Sequence, residues 1–108
     1  MTRGTTPSIK LSIDYQRTDI AAAWITISQG GAPVINKTLT DEGVAIVDTE
    51  EGAEITLTLS QADTLALVPG MAELQIRALM VDDTATASNI ARLTVKRILK
   101  DGEITLEA

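Results

Sequence analysis

Apolar and polar residues alternate with a period of two along this chain, and the alternation resumes after almost every turn signal. No other feature restricts the fold as much. In "AEITLTLS", Ile55, Leu57 and Leu59 fall on one side and Glu54, Thr56 and Thr58 on the other. Side chains of an extended strand point alternately to opposite faces, so this pattern suits a strand with one face buried and suits no helix. Ile9, Leu11, Ile13 and Tyr15 oppose Ser8, Lys10, Ser12 and Asp14 in the same way. Ala23, Ile25 and Ile27 oppose Trp24, Thr26 and Ser28, and Leu74, Ile76, Ala78 and Met80 oppose Glu73, Gln75 and Arg77. Near the end, Ala91, Leu93 and Val95 oppose Arg92, Thr94 and Lys96.

The interruptions carry turn chemistry. Gly30-Gly31 marks a hairpin, since adjacent residues of positive φ suit a tight connection between antiparallel strands. Asp82-Asp83 and Gly102 mark further turns, and Pro69-Gly70 closes the segment "SQADTLALVPG". In that segment Ser60 stands three residues before Asp63, the spacing of a reciprocal cap on a short helical turn. Leu65 and either Leu67 or Val68 are expected to plug the edge of the domain beside it. "VDDTATAS" reads as a turn, and "EITLEA" as a short extra strand or a free tail.

About six or seven short strands with almost no helical pattern predict an all-β antiparallel β-sandwich with one short helical turn; a small open barrel is the competing arrangement. At 108 residues the chain makes a single domain. Residues 1–7 are expected to form a flexible lead, 8–104 the domain, and 105–108 a tail or the end of an extra strand.

Composition narrows the chemistry. Cysteine and histidine are absent, which removes disulfides, thiol nucleophiles, Cys/His metal sites and imidazole acid–base catalysis. There is one Trp, one Tyr and no Phe, so the core is built from Ile, Leu, Val, Ala and Met. Asp14 with Asp19, Glu50-Glu51 and Asp82-Asp83 are the paired acids; each lies near a predicted turn, where acids serve turn geometry, and none has the ligand spacing of an EF-hand loop. No Gly-rich phosphate loop or serine elbow occurs. The expectation is a non-enzyme with no cofactor and no metal.

The formal net charge of −6 disfavours nucleic acid as a partner. The charge is divided: acids gather between Asp41 and Glu54, while Arg92, Lys96, Arg97 and Lys100 crowd the end of the chain. These four bases and Trp24 are the candidate protein interface. The bases also have a plainer role, keeping a terminal strand soluble and guarding its edge. Trp24 either covers a rim between two sheets or anchors an interface, where Trp is favoured. The N-terminus lacks the apolar stretch of a signal peptide, and no run reaches the length of a membrane span, so a protein made in a cytoplasm without membrane insertion is expected.

"EITLTLSQADTLALVPGMAELQIRALMVDDTATASNIARLTVKRILKDGEI", with the earlier "PSIKLSID" and "WITISQGG", resembles a family of small structural proteins encoded by tailed phages and prophages of Firmicutes. The family's "VEVQVR" is matched by Glu73, Gln75 and Arg77, its "ASNI" by Ser88, Asn89 and Ile90, and its "RILKDG" by Arg97 to Gly102. The chain departs from the pattern at Asp82-Asp83, where the family has Asp-Gly. The resemblance spans residues 7–104. It implies an immunoglobulin-like sandwich similar to the N-terminal domain of baseplate upper proteins. It also implies a structural role in a phage tail or baseplate, with copies of the chain or other virion proteins as partners and the virion as a destination. A soluble binding module for a host protein, carbohydrate or assembly factor is the alternative.

Overall fold

The computed structural model describes residues 1–106. Each alternating stretch becomes a strand: β1 (Ser8–Ile13), β2 (Ile20–Gln29), β3 (Ala32–Thr38), β4 (Val44–Asp48), β5 (Ala53–Thr58), β6 (Gly70–Met80), β7 (Ala85–Ala87) and β8 (Ala91–Val95). A single turn of 3-10 helix (Arg17–Asp19) precedes β2, and a short α-helix, α1 (Gln61–Leu65), precedes β6. The described residues therefore hold eight strands, one or two more than the alternation predicts. The additional one, β7, lies inside "VDDTATAS", which is too short and too polar to show a period.

The strands form two sheets. One has the order β1-β5-β4; the other runs β3-β2-β6, with β7 and β8 both pairing with β6 on its far side, and every strand pair is antiparallel. The inward sides meet in a core of Ile25, Ile27, Ile55, Leu57, Leu59, Leu67 and Leu74, each at most 2% exposed. Burying a side chain of this size contributes about 2 kcal/mol, so aliphatic residues alone supply a large driving force. The arrangement is a generic two-sheet β-sandwich.

Local chemistry sets the connections. Gly30 and Gly31 have φ of 60° and 80°, which only glycine adopts easily, and they join β2 to β3 in two residues. Asp83 adopts a φ of 72°, while Asp82 accepts hydrogen bonds from the Thr84 hydroxyl at 2.6 Å and the Thr84 N–H at 3.1 Å. Those bonds hold the Asp82 carboxyl below its usual pKa. Pro69 bends the chain, and Gly70 is already the first residue of β6. Gly102 lies in an exposed bend with φ of 84°.

The predicted cap at α1 is present: Ser60 Oγ accepts from the Asp63 N–H, and Asp63 Oδ2 accepts from the Ser60 N–H. Of the two candidate plugs, Leu67 is buried and Val68 exposed. Sequence reasoning missed Thr64, which is fully buried and donates its hydroxyl to Thr5 O at 2.8 Å.

Residues 1–7, expected as a flexible lead, are largely engaged in the fold. Thr2 bridges Lys96 in parallel, Lys96 N donates to Met1 O, and Arg3 N donates to Lys96 O. The Arg3 side chain then reaches α1, giving Nε to Leu67 O at 2.6 Å and Nη2 to Leu65 O at 3.0 Å. These carbonyls end the helical turn without intrahelical donors, and a cation suits that end. Nothing in "MTRGTTP" announces this, because the partners lie more than sixty residues away.

The other end differs. Ile98 is half-buried, whereas Leu99 is 92% exposed. Residues 103–106 of "EITLEA" form no strand, and residues 107–108 lie outside the described residues.

Candidate functional site

Alternation places Trp24 on the outer side of the larger sheet, because its neighbours Ala23 and Ile25 point into the core. It is 44% exposed, so it does not cover the rim between the sheets. Cross-strand partners are Thr38 on β3 and Arg77 on β6. The same outer face carries Thr26 opposite Asn36 and Gln75, and Glu73 opposite Arg92 on β8. Thr26 Oγ1 donates to Asn36 Oδ1 at 2.8 Å. The face thus has one large aromatic group among polar side chains held on a rigid ladder.

The candidate bases divide. Arg92 shares this face with Trp24, but stands four residues along and two strands across, roughly 16 Å away by strand geometry. Lys96 follows β8, where its backbone is engaged by Met1 and Arg3 and its side chain is exposed. Arg97 and Lys100 are exposed beyond the sheet. The sequence shows the outward bases Arg92 and Lys96; it does not show Arg77 beside Trp24, since that depends on the β2–β6 register.

A second feature escapes the sequence altogether. Between β1 and the β7–β8 side of the larger sheet, the sandwich stays open as a groove of about 390 Å³. Its walls include Leu11 and Ile13 from one sheet and Ile20, Leu74, Ile76 and Ala78 from the other. Tyr15, the last residue of the β1 alternation, stands at its lip and is 40% exposed.

Ser88 and Asn89 line this groove on the β7–β8 side. Arg77 stands opposite Ala87, whereas Leu74 stands opposite Ala91; an unbroken ladder would put Ile90 there. One extra residue therefore bulges from the edge. Ser88 holds it by donating its N–H to Ile76 O at 2.8 Å and accepting the Ile76 N–H on Oγ at 3.0 Å. Gln75 Nε2 donates to the Ser88 carbonyl that the ladder leaves spare.

Glu50 and Glu51 lie exposed before β5, Asp14 and Asp19 flank the turn from β1 to β2, and Asp82-Asp83 turns β6 into β7. Among the described residues, no three acidic groups converge as metal ligands would. No helix among them is long and apolar enough to cross a membrane. No known family model matches the sequence, and no curated protein matches it.

Proposed function

We propose that this chain is a non-enzymatic assembly module with an immunoglobulin-like sandwich, contributing to a tailed-phage tail or baseplate through contacts with copies of itself or with other virion proteins. The fold part draws on strand order. The sheet β1-β5-β4 follows the order B-E-D of that fold, and β3-β2-β6 with the bulged edge β7–β8 follows C′-C-F-G. Two hallmarks of antibody domains are missing: no cysteine pair joins the sheets, and the Trp on the C-like strand points outward. The phage context rests on the resemblance of "SQADTL", "ASNI" and "RILKDG".

Trp24 carries the functional reading. An exposed Trp at the middle of a regular sheet face, flanked by Arg77, combines the residue types that dominate binding hot spots. Light scattering behind a sizing column, across protein concentration and salt, tests it. We expect concentration-dependent association that Trp24→Ala weakens by roughly 30-fold, the equivalent of a 2 kcal/mol hot spot. A wild-type monomer throughout, with no co-purification with phage particles, would overturn the reading. The groove beside β1 favours a second one, a soluble binding module for a host protein, carbohydrate or assembly factor; specific binding without incorporation into particles would support it.

A further inference from the structure

We infer that the free edge of β1 and the groove beside it receive an added strand, Glu103–Leu106 of a second copy of this chain. The inference rests on the reading of the protein as an assembly module, but uses a different surface from Trp24.

Four strand edges are available, and three are guarded. β3 carries Pro33 and a register irregularity opposite Ile27 and Ser28. β4 is flanked by the 3-10 turn, whose Arg17 N–H donates to Asp48 Oδ1 at 2.7 Å. The β7–β8 edge is bulged, and its end is occupied by Met1–Arg3. Bulges, prolines and covering segments are the usual protections against strand addition. β1 has none of them along Ser8–Ile13 and carries a single edge charge, Lys10: it pairs with β5 in unbroken register, and its other side makes no backbone hydrogen bond among the described residues. Ile9, Leu11 and Ile13 remain half-buried, as befits an inner sheet face that lacks one neighbour.

Glu103–Leu106 matches that vacancy. Its residues alternate, with Ile104 and Leu106 on one side and Glu103 and Thr105 on the other. Ile104 is 56% exposed and Leu106 fully so, whereas among the other Ile and Leu residues only Ile90 and Leu99 are exposed. With Ile104 and Leu106 turned into the groove, Glu103 and Thr105 join the side of β1 that presents Lys10 and Ser12, so an acid meets the strand's base. Four extended residues span roughly 13 Å, comparable with the stretch from Leu11 to Tyr15 along the groove.

A separate copy is indicated by where this segment lies in its own chain. Ile104 exchanges two hydrogen bonds with the Gln61 side chain, at 2.8 and 3.0 Å. Gln61 opens α1, which packs near the start of β1, since Leu59 N donates to Pro7 O and Thr64 to Thr5 O. The groove opens at the opposite end of β1, beside Ile13 and Tyr15.

Hydrogen exchange of the full chain at low and high protein concentration tests this, with the double substitution Ile104→Asp/Leu106→Asp as the control. Both residues are exposed, so the variant keeps its core. We expect Leu11–Tyr15 amides facing the free edge to exchange about tenfold more slowly when the concentration is roughly ten times the dissociation constant, and the protection to vanish in the variant. Protection that is independent of concentration in a monomer would mean that the segment folds onto its own β1, and would overturn the inference. So would association without protection of β1; there, loss of association in Trp24→Ala would leave the assembly reading standing while this inference fails. Protection of β1 that survives Trp24→Ala would instead separate strand addition from the Trp24 face.

Discussion

Two sheet edges flank the same groove and are finished differently. The β7–β8 edge is bulged at Ser88 and closed at its end by Met1–Arg3, with the Arg3 guanidinium reaching across to α1. The β1 edge is regular and open. β1 and β8 each have one apolar side, so hydrophobicity does not separate them. What separates them is whether some other part of the chain supplies donors and acceptors to the outermost backbone. A protected edge stabilises the domain; an open edge leaves hydrogen-bonding capacity for another chain.

The largest expected effect comes from distorting the open side. Gly52 packs against the end of β1, where an added Cβ would collide with the Ile13 carbonyl oxygen and lie 2.9 Å from the Asp14 carbonyl carbon. Backbone cannot move away as a side-chain tip can, so Gly52→Ala should cost about 3 kcal/mol, read from the urea midpoint. An unchanged midpoint would show that β1 yields at this end, and that the groove is not rigidly shaped.

Opening the closed side comes next. Arg3→Ala removes two charge-assisted hydrogen bonds from the carbonyls of Leu65 and Leu67, and should destabilise by about 2 kcal/mol. Lysine lacks the guanidinium fork, so Arg3→Lys should recover only part of the loss. If the alanine variant unfolds at the wild-type urea concentration, the contrast between the edges collapses.

Asp63 gives a smaller effect with a pH signature. Burial pushes its carboxyl up, but the Ser60 N–H, the Lys37 ammonium and the Ser60 hydroxyl together outweigh that and leave it below 3.8. Lys37 Nζ lies 3.2 Å from it, tying the β3 edge to α1. A depressed folded-state pKa contributes stability that is present above the unfolded value and is lost as pH falls through the folded one. Wild type should therefore exceed Asp63→Asn at neutral pH by about 1 kcal/mol, and denaturant curves should converge as pH drops below 3.8. A gap that persists in acid would assign the difference to packing.

The smallest change concerns the turn that leads into β7. Asp83→Gly supplies the residue best suited to a φ of 72°, and should stabilise by about 0.5 kcal/mol in a thermal melt. A destabilisation would mean that the Asp83 side chain holds the turn.

Much of the fold was legible because period-two alternation and turn residues are local signals. β5, β6 and the Ser60–Asp63 cap could be read directly from "AEITLTLS", "MAELQIRALM" and "SQAD". β7 could not, because three small residues carry no period and gain strand geometry only from β6. The work of Arg3 depends on carbonyls distant in sequence, and the position of Leu99 on how the chain leaves β8. Trp24 stood out by being unique, but its exposure and its proximity to Arg77 follow from tertiary register. The groove has no local signature, because its walls come from β1 and from β6 to β8, which are distant in sequence.

An aliphatic interior with the lone Trp outside it has a practical corollary. In most small domains the indole sits in the core, and its emission follows unfolding. Here that fluorophore is already in contact with water in the native state. Its emission maximum should shift little when the sandwich melts, yet move to shorter wavelength when another surface closes over the outer face of β2. The molecule carries a built-in optical reporter of docking that is nearly blind to folding.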